Sequence, residues 1–188
     1  MTDQKIHAPK SQLDDDWLTY VKIRQAEKWD LKALEWEGAY KRFRRIYADV
    51  YRRTQYGEAL MWVANLPGSG LIGQVFVQLN SDHRPELANG KTRAYVHAFR
   101  VRPRYQNAGL GTRLMQFVES DLIARDYLAV ILAVAKDNPN ARRLYERLGY
   151  EVIAPDSGRW SYRDHRGELR HVVEPGWRMR KNLRSEKQ

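Results

Sequence analysis

The chain of 188 residues contains no cysteine, which excludes disulfides, thiolate zinc sites and a cysteine nucleophile. It also lacks any apolar run close to the ~18 residues that cross a membrane. Residues 1–10 are polar and have no hydrophobic stretch of the kind found in secretory signals. These absences predict a protein without a membrane partner, and we expect it to be cytoplasmic.

A hydrophobic content of 43% in a chain of this length suits one domain with one substantial core. No internal repeat, low-complexity tract or second domain is evident. We therefore predict a flexible leader over residues 1–16, a single domain over residues 17–184 and a charged tail over residues 185–188.

The formal net charge of +10 favours acidic partners, because excess Lys and Arg attract anions. The most basic segment, residues 40–53, predicts an amphipathic helix whose arginines lie opposite an apolar stripe. A solvated surface explains these arginines, and the segment has no nucleic-acid-reading motif. Nucleic acid is therefore not the partner we expect.

Periodicity and turn residues predict the remaining elements. Asp30 is expected to cap a helix running toward Gly38. Another segment, residues 155–170, predicts a turn-rich connection. The predicted strands are residues 20–26, 59–66, 71–80, 92–101, 128–135, 150–153 and 172–183, and the other predicted helices are residues 110–125 and 138–149. This succession predicts an α/β domain in which residues 92–101 and 128–135 pair in parallel, joined by a crossover helix.

A glycine-containing turn lies between the strand that ends at Val101 and the helix that begins at Leu110. Gly109 and Gly111 allow a sharp bend and a close approach of a ligand to the backbone. The first backbone N–H groups of a helix lack partners and favour an anion. The turn therefore predicts a phosphate site.

Two sequence blocks give a more specific resemblance. The first is Val101-x-Pro103-x-x-Gln106-x-x-Gly109-x-Gly111, and the second is Asn138-x-x-Ala141-x-x-Leu144-Tyr145-x-x-Leu148-Gly149-Tyr150. In their order and separation they resemble the GCN5-related N-acetyltransferase (GNAT) family. The resemblance implies a mixed, mostly antiparallel sheet with flanking helices, in which two parallel strands splay apart to admit the thioester of acetyl-coenzyme A (acetyl-CoA).

The resemblance also implies roles for particular residues. Backbone atoms of Phe99 and Val101 would bind the pantetheine arm, and Asn138 and Ala141 would lie beside that arm, although Asn138 is equally suited to capping a helix. Tyr145 would contact the cofactor and act as the general acid. The pyrophosphate would lie on Gln106, Asn107, Ala108, Gly109, Leu110, Gly111 and Thr112.

The general base is less clearly marked. We predict His97, which we expect to share a face of its strand with Phe99 and to be neutral near pH 7. The alternative is that His97 is a core or edge residue of the strand without a catalytic role. Some relatives carry a glutamate about where this chain has Ala133, so this chain lacks a glutamate base at that position. Asp137, Tyr95 and a water chain are the alternatives.

We therefore predict an acetyl-CoA-dependent N-acetyltransferase that uses direct transfer in a ternary complex. The acceptor is a small amine or a peptide or protein amine. The alternatives are an acyl-CoA sensor without activity and a basic nucleic-acid-binding module. His165, His171 and Asp164 lack the spacing of a structural metal site, so we expect no metal. The remaining aromatic and apolar residues near the end of the chain predict core or a homodimer surface, and they are Trp160, Tyr162, Trp177 and Met179.

Overall fold

The computed structural model describes residues 16–183, so most of the predicted leader and the whole predicted tail lie outside the described residues. The helices are α1 (Asp30–Ala33), α2 (Arg44–Thr54), α3 (Leu110–Ala124) and α4 (Pro139–Arg147). The strands are β1 (Lys22–Gln25), β2 (Ala59–Leu66), β3 (Gly70–Gln78), β4 (Arg93–Val101), β5 (Ala129–Ala135), β6 (Glu151–Asp156), β7 (Arg159–Arg163), β8 (Leu169–Val173) and β9 (Gly176–Asn182). No helix within residues 16–183 has the length and apolar character needed to cross a bilayer.

Seven strands form one mixed sheet in the order β1-β2-β3-β4-β5-β9-β6, and β7 and β8 form a separate hairpin. The neighbours in the large sheet are antiparallel except for β4 and β5. The long crossover through α3 makes this pair parallel, as the sequence predicted. The predicted α/β fold with a mostly antiparallel mixed sheet is confirmed.

The parallel strands separate halfway along their length. Pairing runs from Arg93 opposite Ala129 to Val96 opposite Leu132, and no β4–β5 pair follows. Ala133, in an otherwise buried run of β5, is exposed just past this point. Ala133 is exposed because the neighbouring strand has moved away from it.

A bulge in β4 accompanies the separation. Phe76 of β3 pairs with His97, whereas Gln74 pairs with Arg100, so β4 carries one extra residue between these two positions. Ala98 lies there with φ of +50°, a conformation that non-glycine residues seldom adopt. The bulge bends β4 away from β5 at the place where the sheet opens.

Helices cover the two faces of the sheet and form two apolar clusters. On one face, α3 and α4 bury residues such as Leu114 and Tyr145 against Val75 and Val130. On the other face, α2 and the segments before it pack Leu34, Phe43, Tyr47 and Val50 against β2 and β3. The stripe predicted for residues 40–53 is the buried side of this second layer.

Three local predictions are wrong. The strand predicted over residues 172–183 is divided, because β8 ends at Val173 and β9 begins at Gly176 in the other sheet. The segment from Pro155 to Arg170 is not a plain connection, because β6 extends to Asp156 and the β7–β8 hairpin follows. Asp30 is not a helix cap but the first residue of a short α1. Its carboxylate accepts hydrogen bonds from Arg24 of β1, at 2.6 and 2.9 Å, and from the N–H of Glu27. These bonds fix Asp30 within the first turn rather than ahead of it.

The aromatic and apolar residues near the end of the chain divide between core and surface. Met179 is fully buried, and Tyr162 packs against Phe43 at 5.1 Å between ring centroids. Trp160 is 41% exposed on the β7–β8 hairpin. Asp164 accepts hydrogen bonds from the N–H groups of Arg166 and Glu168 in the turn of that hairpin. A homodimer surface stays a prediction.

Candidate active site

A groove of about 760 Å³ occupies the gap between the separated ends of β4 and β5. It extends from the turn before α3, along β4, to the start of α4. The predicted site residues that line it are His97, Phe99, Val101, Gln106, Asn107, Gly109, Gly111, Thr112, Asn138, Ala141 and Tyr145. Two predicted residues, Ala108 and Leu110, are absent from the lining. The Leu110 side chain is buried in the core.

The turn at the outer end of the groove presents backbone donors. Asn107 and Gly109 have φ of +59° and +89°, and Gly109 is the N-cap residue of α3. Within residues 16–183, the N–H groups from Asn107 to Thr112 donate to no backbone acceptor. Converging N–H groups at the positive end of a helix favour an anion, so the turn fits a diphosphate.

Gln106 has a structural contact in addition to its place in the groove. Its amide donates a 2.8 Å hydrogen bond to the carbonyl oxygen of Val101. This bond ties the turn to the end of β4 and so helps to hold the backbone donors in place.

Gly111 is explained by packing between helices. A Cβ at this position would lie 3.3 Å from Cδ2 of Leu144 and 3.4 Å from the Phe99 ring. The first distance is shorter than most Cβ contacts, so the Leu144 side chain would have to shift by a few tenths of an ångström to admit a larger residue. The glycine thereby brings the start of α3 and the groove wall of α4 close together.

Tyr145 lies on α4 at the inner end of the groove and is 6% exposed. Its ring packs between Phe99, at 6.3 Å, and Tyr150, at 5.8 Å between centroids. Burial, with a smaller contribution from Tyr95, raises the pKa of the Tyr145 hydroxyl well above its ordinary value, so the phenol is protonated at neutral pH. Its hydroxyl has no hydrogen-bond partner within the described part of the chain, which leaves it free to donate into the groove.

Asn138 caps α4. Its side-chain oxygen accepts a 3.1 Å hydrogen bond from the N–H of Ala141, which satisfies one of the free donors of the first turn. Because Asn138 also lines the groove, its amide nitrogen is available to a ligand. The structural role proposed from the sequence is confirmed, and the cofactor contact stays a prediction.

Two substitutions separate these roles of Asn138. Asn138→Ala should lower the free energy of unfolding by about 1 kcal/mol, because the cap is lost. Asn138→Asp keeps the capping oxygen but removes the amide donor, so it should retain stability and lose affinity for acetyl-CoA. Urea denaturation and calorimetry measure the two quantities, and an Asp variant with wild-type affinity would exclude the cofactor contact.

His97 and Phe99 do not share a face of β4. The His97 ring packs edge-on against Phe76 of the α2-side cluster, at 5.9 Å, whereas Phe99 packs with the α3-side cluster. The expected common face is wrong, because the extra residue at Ala98 reverses the alternation of the strand. His97 nevertheless lines the groove, since the sheet is open there.

Burial, together with the charges of Arg53 and Arg100, lowers the pKa of His97 to about 4. His97 is therefore neutral at pH 7, as predicted, but it is a weak base. In the unfolded chain its pKa is about 6.5, so between pH 6.5 and 4 the unfolded state binds the proton and the native state does not.

A stability measurement tests this lowered pKa of His97. The wild type should lose stability as the pH falls through this interval, and His97→Gln should lose less. Urea denaturation at a series of pH values measures the difference between the two proteins. Parallel stability curves would show that the pKa of His97 is not lowered by folding.

The bulge rests on residues that the sequence did not single out. Gln74, fully buried in β3, donates a 3.2 Å hydrogen bond to the carbonyl of Ala98. Nearby, Arg100 donates to the Tyr47 hydroxyl at 3.2 Å. A glutamine inside an apolar strand was the available signal, because a buried amide needs a partner.

Comparison with known proteins agrees with this architecture. The sequence profile of the Acetyltransferase (GNAT) family matches residues 25–150. This match covers both motif blocks and most of the described chain. The chain belongs to the GNAT family and is an acetyltransferase. No curated protein sequence matches it at a significant level.

Solved structures with the same fold include three informative cases. Ard1 from Thermoplasma volcanium is 18% identical with a TM-score of 0.67, over 88% of this chain and 99% of that chain. The ribosomal-protein-S18-alanine N-acetyltransferase from Escherichia coli is 19% identical with a TM-score of 0.64, over 89% and 97%. Spermidine N-acetyltransferase from Vibrio cholerae, in complex with CoA and spermine, is 18% identical with a TM-score of 0.62, over 88% and 96%. At these identities the likeness concerns the fold.

Proposed function

We propose that this enzyme transfers the acetyl group of acetyl-CoA to a primary amine by direct attack in a ternary complex. One observation carries the proposal: a single groove connects the free N–H groups before α3 to the Tyr145 hydroxyl along the opened edge of β4. That order matches the order of chemical groups in the donor, from diphosphate through pantetheine arm to thioester.

The residues of the groove divide the donor between them. The backbone N–H groups from Asn107 to Thr112 bind the diphosphate. The edge of β4 beyond Val96, which has no β5 partner, offers Phe99 and Val101 to the amides of the pantetheine arm. Asn138 and Ala141, at the start of α4, close the other side of the arm.

The reaction moves the acetyl group from sulfur to nitrogen, removes one proton from the amine and gives one proton to the thiolate. The amine nitrogen attacks the thioester carbonyl carbon, a C–N bond forms, and the C–S bond breaks. A backbone N–H near the bulge stabilises the developing oxyanion. The leaving thiolate receives a proton from Tyr145, whose phenol is kept protonated by burial, and Tyr145 regains a proton from water. No enzyme-bound acyl intermediate is needed.

The amine must also lose a proton, and His97 is our proposed acceptor for it. A pKa of about 4 makes His97 a poor long-term holder of a proton taken from an amine with a pKa near 8 or above. We therefore propose that His97 accepts a hydrogen bond from the attacking amine and that the proton leaves through water. This arrangement requires the acceptor to arrive as the neutral amine.

The acceptors of the structural relatives support two classes of acceptor for this enzyme. These relatives include a spermidine N-acetyltransferase and a ribosomal-protein-alanine N-acetyltransferase, so a small amine and a peptide amine both fit the common fold. We also retain a cytoplasmic location as part of the proposal.

Release of free CoA thiol tests the proposed function. The purified chain is incubated with acetyl-CoA and a panel of small amines and peptides, and thiol is measured with and without each acceptor. Acceptor-dependent thiol release with an acetylated product confirms the proposal. Acetyl-CoA binding without turnover on any amine would contradict it and favour the sensor, and RNA binding without acetyl-CoA binding would favour the nucleic-acid module.

A further inference from the structure

A second cavity, of about 420 Å³, lies behind the opening in the sheet. It shares His97, Ala98, Arg100 and residues 133–135 with the groove, so the two spaces meet at the separated strands. The outer wall comes from α2 and from the segments around the β7–β8 hairpin. If the donor lies in the groove, an amine in this cavity approaches the thioester from the opposite side.

The carboxylates of this cavity are poorly placed for a polyamine. Among the described lining residues they are Asp156 and Glu174. Asp156 accepts hydrogen bonds from Arg178 at 3.1 Å and from the N–H of Gly158 at 2.8 Å, so its charge is already matched. Glu174 is exposed, where solvent and salt screen its charge.

Three arginines of the described part of the chain also line this cavity, and their surroundings differ. Arg84 and Arg159 are exposed, and Arg84 is paired with Glu86 at 3.2 Å. Arg100, by contrast, is partly buried on β4 beside the opening. Its contacts are the neutral Tyr47 hydroxyl and the faces of Tyr40 and Phe43, with the guanidinium carbon 4.3 and 5.1 Å from the ring centroids.

Arg100 therefore lacks a carboxylate partner within residues 16–183, although it lines the cavity wall next to the reaction centre. A half-buried guanidinium retains several donors in a planar fork that matches a carboxylate. The surrounding aromatic rings hold this fork in one orientation and exclude water from one side of it. An anionic group on the ligand would complete the site.

We infer that the acceptor is a small amine that also carries a carboxylate, and that Arg100 binds this carboxylate and orients the amine toward the thioester. The chemical class is that of an amino acid, and Phe43 and Trp160 give its side chain an apolar surface in the same cavity. Arg100 is accordingly a specificity-determining residue. This inference rests on the proposed function, because it places the acceptor opposite the donor groove.

Matched acceptors test the inference. Free amino acids, the corresponding amino acid amides and spermidine are compared by kcat/KM for thiol release. The free acids should be preferred by about ten- to a hundredfold, the range expected for one hydrogen-bonded charge pair. The amine of an amino acid amide is less basic than the amine of the free acid, so a larger fraction of it is neutral. A lower rate for the amide would therefore reflect the missing carboxylate.

Three variants assign the preference to Arg100. Arg100→Gln should raise KM for the free acids by about tenfold or more and bring acids and amides to similar kcat/KM. Arg100→Lys keeps the charge and should restore part of the preference. Lys41→Gln removes an exposed charge from the segment beside Phe43 and should leave both values unchanged. Thermal unfolding of each variant checks that the fold is retained.

The outcomes distinguish the two levels of the proposal. Equal turnover of acids and amides, a preference for spermidine, or an unaltered preference in Arg100→Gln would overturn the inference while leaving acetyl transfer intact. Acetyl-CoA binding without turnover of any free acid would overturn it too. If calorimetry detects no acetyl-CoA binding by the wild type, the proposed function itself fails.

Discussion

Gly109→Glu is expected to weaken acetyl-CoA binding by about a hundredfold. The substitution places a negative side chain at the N-cap of α3, beside the backbone donors assigned to the diphosphate. Like charges a few ångströms apart at a protein surface repel by roughly 2 to 4 kcal/mol, which corresponds to this loss of affinity. Isothermal titration calorimetry with acetyl-CoA measures it.

Gly109→Gln is the matched control for charge. Gly109 has φ of +89°, so any side chain strains the backbone there, and a Cβ would lie 3.4 Å from Leu18. Glutamine has nearly the same shape as glutamate and brings the same strain. The glutamate variant should bind acetyl-CoA at least about tenfold more weakly than the glutamine variant. Equal affinity in the two variants would refute the placement of the diphosphate at this turn.

Tyr145→Phe is expected to lower kcat by about a hundredfold with little change in the affinity for acetyl-CoA, in line with removal of a general acid. The ring contacts with Phe99 and Tyr150 survive in phenylalanine. The hydroxyl makes no hydrogen bond within residues 16–183, so its removal should cost little stability. Steady-state thiol release and calorimetry provide the two values.

Tyr150→Phe controls for the general effect of removing a buried tyrosine hydroxyl. Tyr150 lies against Tyr145 and is 2% exposed, but it lines neither the groove nor the second cavity. Its variant should keep the wild-type kcat. If Tyr145→Phe keeps it as well, Tyr145 is not the general acid, and protonation of the thiolate must come from water.

The sequence predicted the parts of the fold that follow from local pattern. The strands β2, β3 and β5 and the helices α3 and α4 each follow from a pattern of residues within a short window. The turn before α3 belongs to the same group, because Gly109 permits a sharp bend at a helix start. These local signals were sufficient for the α/β class and for the order of most elements, whereas the mostly antiparallel mixed sheet was predicted from the family resemblance.

The inner half of the site depends on tertiary structure and was not predictable in the same way. Alanine does not favour a positive φ, so nothing at Ala98 announces a bulge. Gln74 holds the Ala98 carbonyl in the bulge, and the pairing of β4 with β5 ends just before it. A one-residue shift in β4 was enough to place His97 and Phe99 on opposite faces.

The β7–β8 hairpin illustrates a second limit. Its strands have five residues each, and Gly158 and Gly167 precede them, which made the segment resemble a loop. Packing of Tyr162 and Trp160 against Phe43 of the α2 side stabilises the hairpin. It also provides a wall of the second cavity, and a local pattern does not reveal such a contact.

Backbone amide chemical shifts measured during titration with CoA test the central claim most directly, because the claim concerns individual N–H groups. The amides from Asn107 to Thr112 should show the largest shifts, followed by those of Phe99 and Val101 at the open edge of β4. CoA binding that leaves residues 107–112 unshifted while other amides respond would contradict the account.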